Sequence, residues 1–139
     1  MWDAIIALLR RTGIMFSIRF SWTGDKEMAV YFTDEEIKGL DKELVAKLDT
    51  ARKAAGIPFR ITSGLRTCAA NDAVLGVEGS AHLKGLAVDL AVESGSDRFL
   101  IVKALLASGF VRIGAYTNHV HCDLDPEKPQ NVLWIGVSH

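Results

Sequence analysis

Three residues of this chain have the types and spacing to do chemistry together: His82, Asp89 and His121. His82 and Asp89 stand seven positions apart in Ser80-Ala81-His82-Leu83-Lys84-Gly85-Leu86-Ala87-Val88-Asp89, where Gly85 allows a backbone turn and the run from Leu86 to Val92 reads as a strand carrying the aspartate. His121 belongs to a second cluster, His119-Val120-His121-Cys122-Asp123, about thirty residues on. A metal ligand must offer a lone pair that holds no proton at neutral pH, which neutral imidazole and carboxylate both do. Two histidines and one aspartate, with a fourth position open, make the donor set of a hydrolytic zinc site. They leave the ion a residual charge of about +1, which draws the pKa of a bound water toward neutrality.

Other readings of the same residues stay open on sequence alone. His82 can be a structural or solvated histidine, and His119 with His121 an exposed polar face. Asp89 is harder to set aside. It lies among Leu86, Ala87, Val88 and Leu90, and a carboxylate buried there needs a partner charge or several donors.

The elements that would position these residues are legible in part. Thr33-Asp34-Glu35-Glu36 has the form of a capping box, and Ile37, Leu40, Leu44, Val45 and Leu48 follow at helical spacing. A helix is therefore expected over 34–55, stopped by Gly56 and Pro58. Phe59 to Ser63 alternates as a strand, and Arg66 follows in a loop. An arginine just past a strand end can bind a carboxylate or a developing oxyanion through its planar fork, or can simply be a solvated surface residue. A short helix is expected over 69–75, and another over 98–108 with Phe99, Val102, Leu105 and Leu106 on one face. Strands are expected at 110–113 and 119–124, joined by a turn in which Tyr116 could border a substrate groove. On the second strand His119, His121 and Asp123 share one face, while Val120 and Cys122 share the other, so Cys122 should point away from the metal. A last strand over 131–137 is expected to pack Trp134 inward. Near the start, Ile5, Leu8 and Leu9 suit a short helix, and 14–22 with 28–32 suit a hairpin. The order implies an α+β fold, a small antiparallel sheet with packed helices.

The bulk numbers exclude several function classes. The chain has 139 residues, 49% hydrophobic and 24% charged, with a net charge of −1. One domain spanning 1–139 is expected, with 1–29 as an N-terminal extension. Nucleic-acid binding is disfavoured, because it needs a positive footprint. The apolar run Ala4 to Leu9 is too short to span a bilayer. It also has Asp3 before it and Arg10-Arg11 after it, the reverse of a signal peptide. A cytoplasmic product, until some later event releases it, and a monomeric state are expected. Two cysteines, Cys68 and Cys122, are too few for a disulfide framework, and whether they pair stays open.

The pattern Ser80-x-His82-x-x-Gly85-x-Ala87-x-Asp89 resembles the signature of the M15 zinc peptidases, the D-alanyl-D-alanine carboxypeptidases and dipeptidases and related phage endolysins. Thr62-Ser63-Gly64-Leu65-Arg66-Thr67 is similar to that family's Ser-Gly-Tyr-Arg-Ser segment. Val120-His121-Cys122-Asp123 resembles its His-x-Asp element, and Gln130 to Trp134 the ending of a phage-type subgroup. The resemblance covers roughly residues 30–137 and implies the hedgehog/D-Ala-D-Ala peptidase fold. It implies a single zinc ion on His82, Asp89 and His121, and Arg66 as the arginine for a substrate carboxylate or the transition state. Several relatives carry an acidic base three residues before the last histidine ligand, where this chain has Asn118. Others use a histidine two residues before it, here His119, which becomes the expected base, with Asp123 as the next candidate or as support for a ligand imidazole. Ser80 is expected to hold the turn or to bond Asp89. The activity implied is hydrolysis of peptidoglycan stem peptides or other D-Ala-containing peptides. The competing readings are a zinc-binding module without turnover and a cytoplasmic D-Ala-D-Ala dipeptidase.

Overall fold

The computed structural model describes residues 29–74 and 76–137. The helix expected near 4–9 and the first strand of the expected hairpin fall outside them. Three helices are described, α1 (Lys42–Ala55), α2 (Cys68–Ala73) and α3 (Gly95–Ala107), with one 3-10 turn at Ala81–Lys84. The strands are β1 (Ile61–Ser63), β2 (Ala87–Ala91), β3 (Arg112–Ala115), β4 (His119–Asp123) and β5 (Val132–Ile135). They form one sheet in the order β1-β2-β4-β3-β5.

Three of the four pairings are antiparallel, but β5 runs parallel to β3. The connection is the cause. The chain leaves β4 at the end where β3 begins, and the short segment from Leu124 to Asn131 can reach the free edge of β3 only at that end. The next strand must then run in the direction of β3.

One face of the sheet is covered by helices. Val88 and Leu90 of β2, Val120 and Cys122 of β4 and Ile113 of β3 pack with Leu44, Leu48 and Ala51 of α1, Ile101, Ala104 and Leu105 of α3, and Phe59 and Phe110. The stripe expected on α1 is present, but its helix starts later than the sequence pattern suggests. Thr33 and Glu36 do bond reciprocally (Thr33 N to Glu36 Oε2, 2.8 Å; Glu36 N to Thr33 Oγ1, 3.3 Å), yet they close only a turn. The regular helix begins after Asp41, whose Oδ1 accepts from the amides of Glu43 and Leu44. The end of the expected return strand, 29–32, is irregular chain. The amides of Val30 and Tyr31 donate to the Asp49 carboxylate instead of to a neighbouring strand.

On α3 the buried face is Ile101, Ala104 and Leu105, while Phe99 (65% exposed) and Leu106 face outward. The helix is apolar on several sides, so periodicity could not choose which side packs. Ahead of β2, Gly85 has φ +70° and closes the 3-10 turn, with the Gly39 carbonyl lying where a Cβ would stand. Its own carbonyl accepts from Asp41 N at 2.9 Å, which ties the start of α1 to the loop that carries His82.

Candidate metal centre

The face opposite the helices is polar. β2 and β4 pair so that Asp89 lies directly across from His121. The 3-10 turn, held by the Ser80 hydroxyl accepting from the His82 amide (3.3 Å), sets His82 beside them. Ser80 therefore holds the turn rather than bonding Asp89. His82 and Asp89 are 2% and 7% exposed, and His121 is half-buried.

The outer nitrogen of each imidazole is engaged. His82 Nδ1–H donates to the Gly64 carbonyl (2.8 Å), and His121 Nε2–H donates to Asp123 Oδ2 (2.9 Å). With the ring protons on those outer atoms alone, the inner nitrogens, His82 Nε2 and His121 Nδ1, offer lone pairs 3.3 Å apart. Asp89 Oδ1 lies 3.2 Å from the first and 2.9 Å from the second. Three acceptors facing one another at this range repel unless a cation or proton stands among them. A tetrahedral zinc ion with bonds of about 2.0–2.1 Å keeps its ligand atoms about 3.3 Å apart, so the donor set and its spacing fit such an ion. Among the described residues these three form a group able to hold a metal.

The electrostatics follow from this geometry. Burial by itself raises the pKa of Asp89, but the bonds and charges of His121 and His82 outweigh it and hold the carboxyl well below the usual carboxylate range. Arg66 adds an ion pair to the other oxygen, Nη2 to Oδ2 at 2.9 Å, and its Nε donates to Ser63 Oγ. Burial lowers the pKa of His121, yet its bonds to Asp123 and Asp89 prevail and the metal-free ring holds its proton more tightly than free imidazole does. Asp123 is burdened by burial but kept low by His121, Arg112 and the Asp125 amide.

His119 sits at the edge of the group, its Nε2 4.0 Å from Asp89 Oδ1. Its Nδ1–H donates to Asn118 Oδ1 at 2.7 Å, leaving Nε2 as the basic atom. Burial, only partly opposed by Asp89, lowers its pKa, so the ring is neutral at neutral pH. His119, His121 and Asp123 share the cleft-facing side of β4, as their alternation predicts, and Tyr116 lines the same cleft. Cys122 faces the core, where burial pushes its thiol up, and Cys68 is exposed; both are free.

Two participants were missed in the sequence. Arg112 is buried on β3 and donates from Nε to Asp123 Oδ1 (2.7 Å), and from its guanidinium to the Pro129 carbonyl. An arginine inside an apolar strand carries the same signal that singled out Asp89. Trp134 does not pack into the core. It pairs with Gly114, and so lies on the cleft side with its ring 5.6 Å from that of His121.

Residues 24–123 match the family model described as Peptidase M15. The chain belongs to the peptidase M15 family. It is accordingly a peptidase. Among solved structures it is similar to the L-Ala D-Glu endopeptidase ChiX of Serratia marcescens, at 20% identity and a TM-score of 0.56, over 70% of this chain and 89% of that one. That likeness shows a shared α+β fold. Among curated proteins none matches significantly. No helix among the described residues is long and apolar enough to cross a membrane.

Proposed function

We propose that this M15 peptidase is a zinc enzyme that hydrolyses peptide bonds in peptidoglycan stem peptides, as an endopeptidase or a D,D-carboxypeptidase. The observation that carries the reading is the triangle of His82 Nε2, Asp89 Oδ1 and His121 Nδ1, three lone pairs at 2.9–3.3 Å whose side chains are fixed from behind by Gly64, Arg66 and Asp123. A bound zinc ion would supply Lewis-acid polarisation of the scissile carbonyl and lower the pKa of a water. The family and the activity named for the similar structure support the wall substrate.

The protein's own groups take the remaining tasks. His119 Nε2, neutral and unprotonated, accepts the proton of the attacking water and returns it to the leaving amine, so that the C–N bond breaks with one acid and one amine formed. Arg66 holds Asp89 by one N–H and Ser63 by another, and offers the rest, on the cleft wall, to a substrate carboxylate or the developing oxyanion. Asp123 orients His121 rather than acting on substrate, because both its oxygens are already engaged.

The test is digestion of purified peptidoglycan by zinc-loaded protein, with products read by mass spectrometry beside a chelator-treated control. Release of D-alanine or cut stem peptides, abolished by chelation, is expected. Intact wall with zinc bound would overturn the wall-lytic reading.

A further inference from the structure

The edge strand β5 carries no candidate ligand, yet it is shaped to fit the end of β3 and the turn that leads to His119. In the parallel register Gly114 lies opposite Trp134, and the bond from Gly136 N to Ala115 O continues that pairing to Tyr116 and Gly136. The two strands thus exchange large and small residues, Gly-x-Tyr against Trp-x-Gly. A Cβ on Gly114 would come within 2.5 Å of Trp134 Cε2, and one on Gly136 would overlap the Tyr116 ring. Each aromatic ring occupies the space that the other strand's glycine leaves.

The two rings are also bonded to each other. Trp134 Nε1–H donates to Tyr116 Oη at 3.1 Å. The Tyr116 ring in turn stacks on His119, with centroids 4.3 Å apart and planes 10° from parallel, while Tyr116 N donates to the His119 carbonyl. On its other side the indole lies 5.3 Å from the Arg112 guanidinium. Trp134 thus reaches His119 through Tyr116, while its ring also lies 5.6 Å from that of His121. Residue 134 also lies beyond the 24–123 family match.

We propose that Trp134 and Tyr116 form a positioning relay: the indole N–H holds the phenol, and the phenol ring holds the plane of the His119 imidazole, keeping Nε2 aimed at the space before the metal triangle. This rests on the reading of His119 as base. A stacked ring limits tilting and rotation of the imidazole, adding to the constraint that the Nδ1 bond to Asn118 already sets. Misplacing a base by a fraction of its contact distance is enough to cost turnover without costing binding.

The experiment uses zinc-loaded full-length protein with Tyr116→Phe, Tyr116→Leu, Trp134→Phe and the Tyr116→Phe/Trp134→Phe double variant. Peptide hydrolysis is split into kcat and KM, and the imidazole nitrogens of His119 are followed by NMR. Tyr116→Leu is expected to lower kcat by about tenfold or more with KM little changed. Tyr116→Phe and Trp134→Phe each lower it by about threefold, and the double variant falls no further than either single one, because both remove the same hydrogen bond. In Trp134→Phe the His119 imidazole signals shift or broaden although residue 134 does not touch that ring. Unchanged His119 signals in Trp134→Phe, or effects of the two single variants that multiply, would overturn the relay. Failure of the base reading looks different: His119→Ala would then keep wild-type kcat, while the NMR measurement would still report whether the relay exists.

Discussion

The two faces of β4 are both sheltered, by different physics. Val120 and Cys122 have no exposed surface because helices and aromatic side chains cover them. One residue away along the chain, Asp123 is as well hidden, but its oxygens are met by His121, Arg112 and the Asp125 amide. The apolar face needs volume and hydrophobicity, which are non-directional and tolerant. The polar face needs particular partners at particular angles, because a buried charge without them costs several kcal/mol. The difference teaches where this fold is brittle: the core face resists substitution in its chemistry, and the cleft face does not.

The sharpest break is on the cleft face itself. Asp89→Ala or His121→Ala should weaken zinc binding by about a thousandfold or more and abolish hydrolysis, as calorimetry and a peptide assay would register. Next comes His119→Ala, with kcat lowered by about 10²–10⁴ while zinc content by metal analysis stays stoichiometric. Loss of zinc in that variant would make His119 a ligand rather than a base. Asp123→Asn should loosen zinc by about 10–100-fold, since the amide no longer accepts equally from His121 and Arg112.

A pH series sharpens the same contrast. In the metal-free protein the pKa of His121 is raised by Asp123 and Asp89 against the pull of burial. Its protonation therefore stabilises the metal-free fold below the ordinary histidine pKa, and that contribution is lost as pH rises through the folded value. Zinc requires the neutral ring, so uptake should release a proton near neutrality. Below the pKa of His121, affinity should rise about tenfold per pH unit, as titration at several pH values would show. The smallest functional effect belongs to the core face. Val120→Ala should cost about 1–3 kcal/mol in denaturant unfolding and leave kcat and zinc affinity within about twofold. A large fall in activity there would mean that the two faces are not independent.

Much of this was readable from residue order. The alternation at 119–123 separates the cleft side from the core side, and Asp89 inside an apolar strand signals a partner charge. Arg112 carries the same signal, but its partner Asp123 is brought opposite only by the β3–β4 pairing. An aromatic residue in a strand is most simply buried in the core, which is the position Trp134 suggests from its segment alone. Its true side was set by the parallel register with Gly114, which no local pattern encodes. On α3, apolar residues on several sides leave the buried face to be chosen by what it packs against.

The sequence by itself determined the types and spacing of the candidate ligands, the side of β4 that His121 occupies and most of the elements that carry them, since these follow from the periods of single strands and helices. Only the tertiary structure decided which nitrogen of each histidine is free, that Arg66 and Asp123 stand behind the ligands, that β5 runs parallel, and that its tryptophan reaches the site. Lone-pair direction and strand register depend on partners brought from distant segments, and a single segment does not contain them.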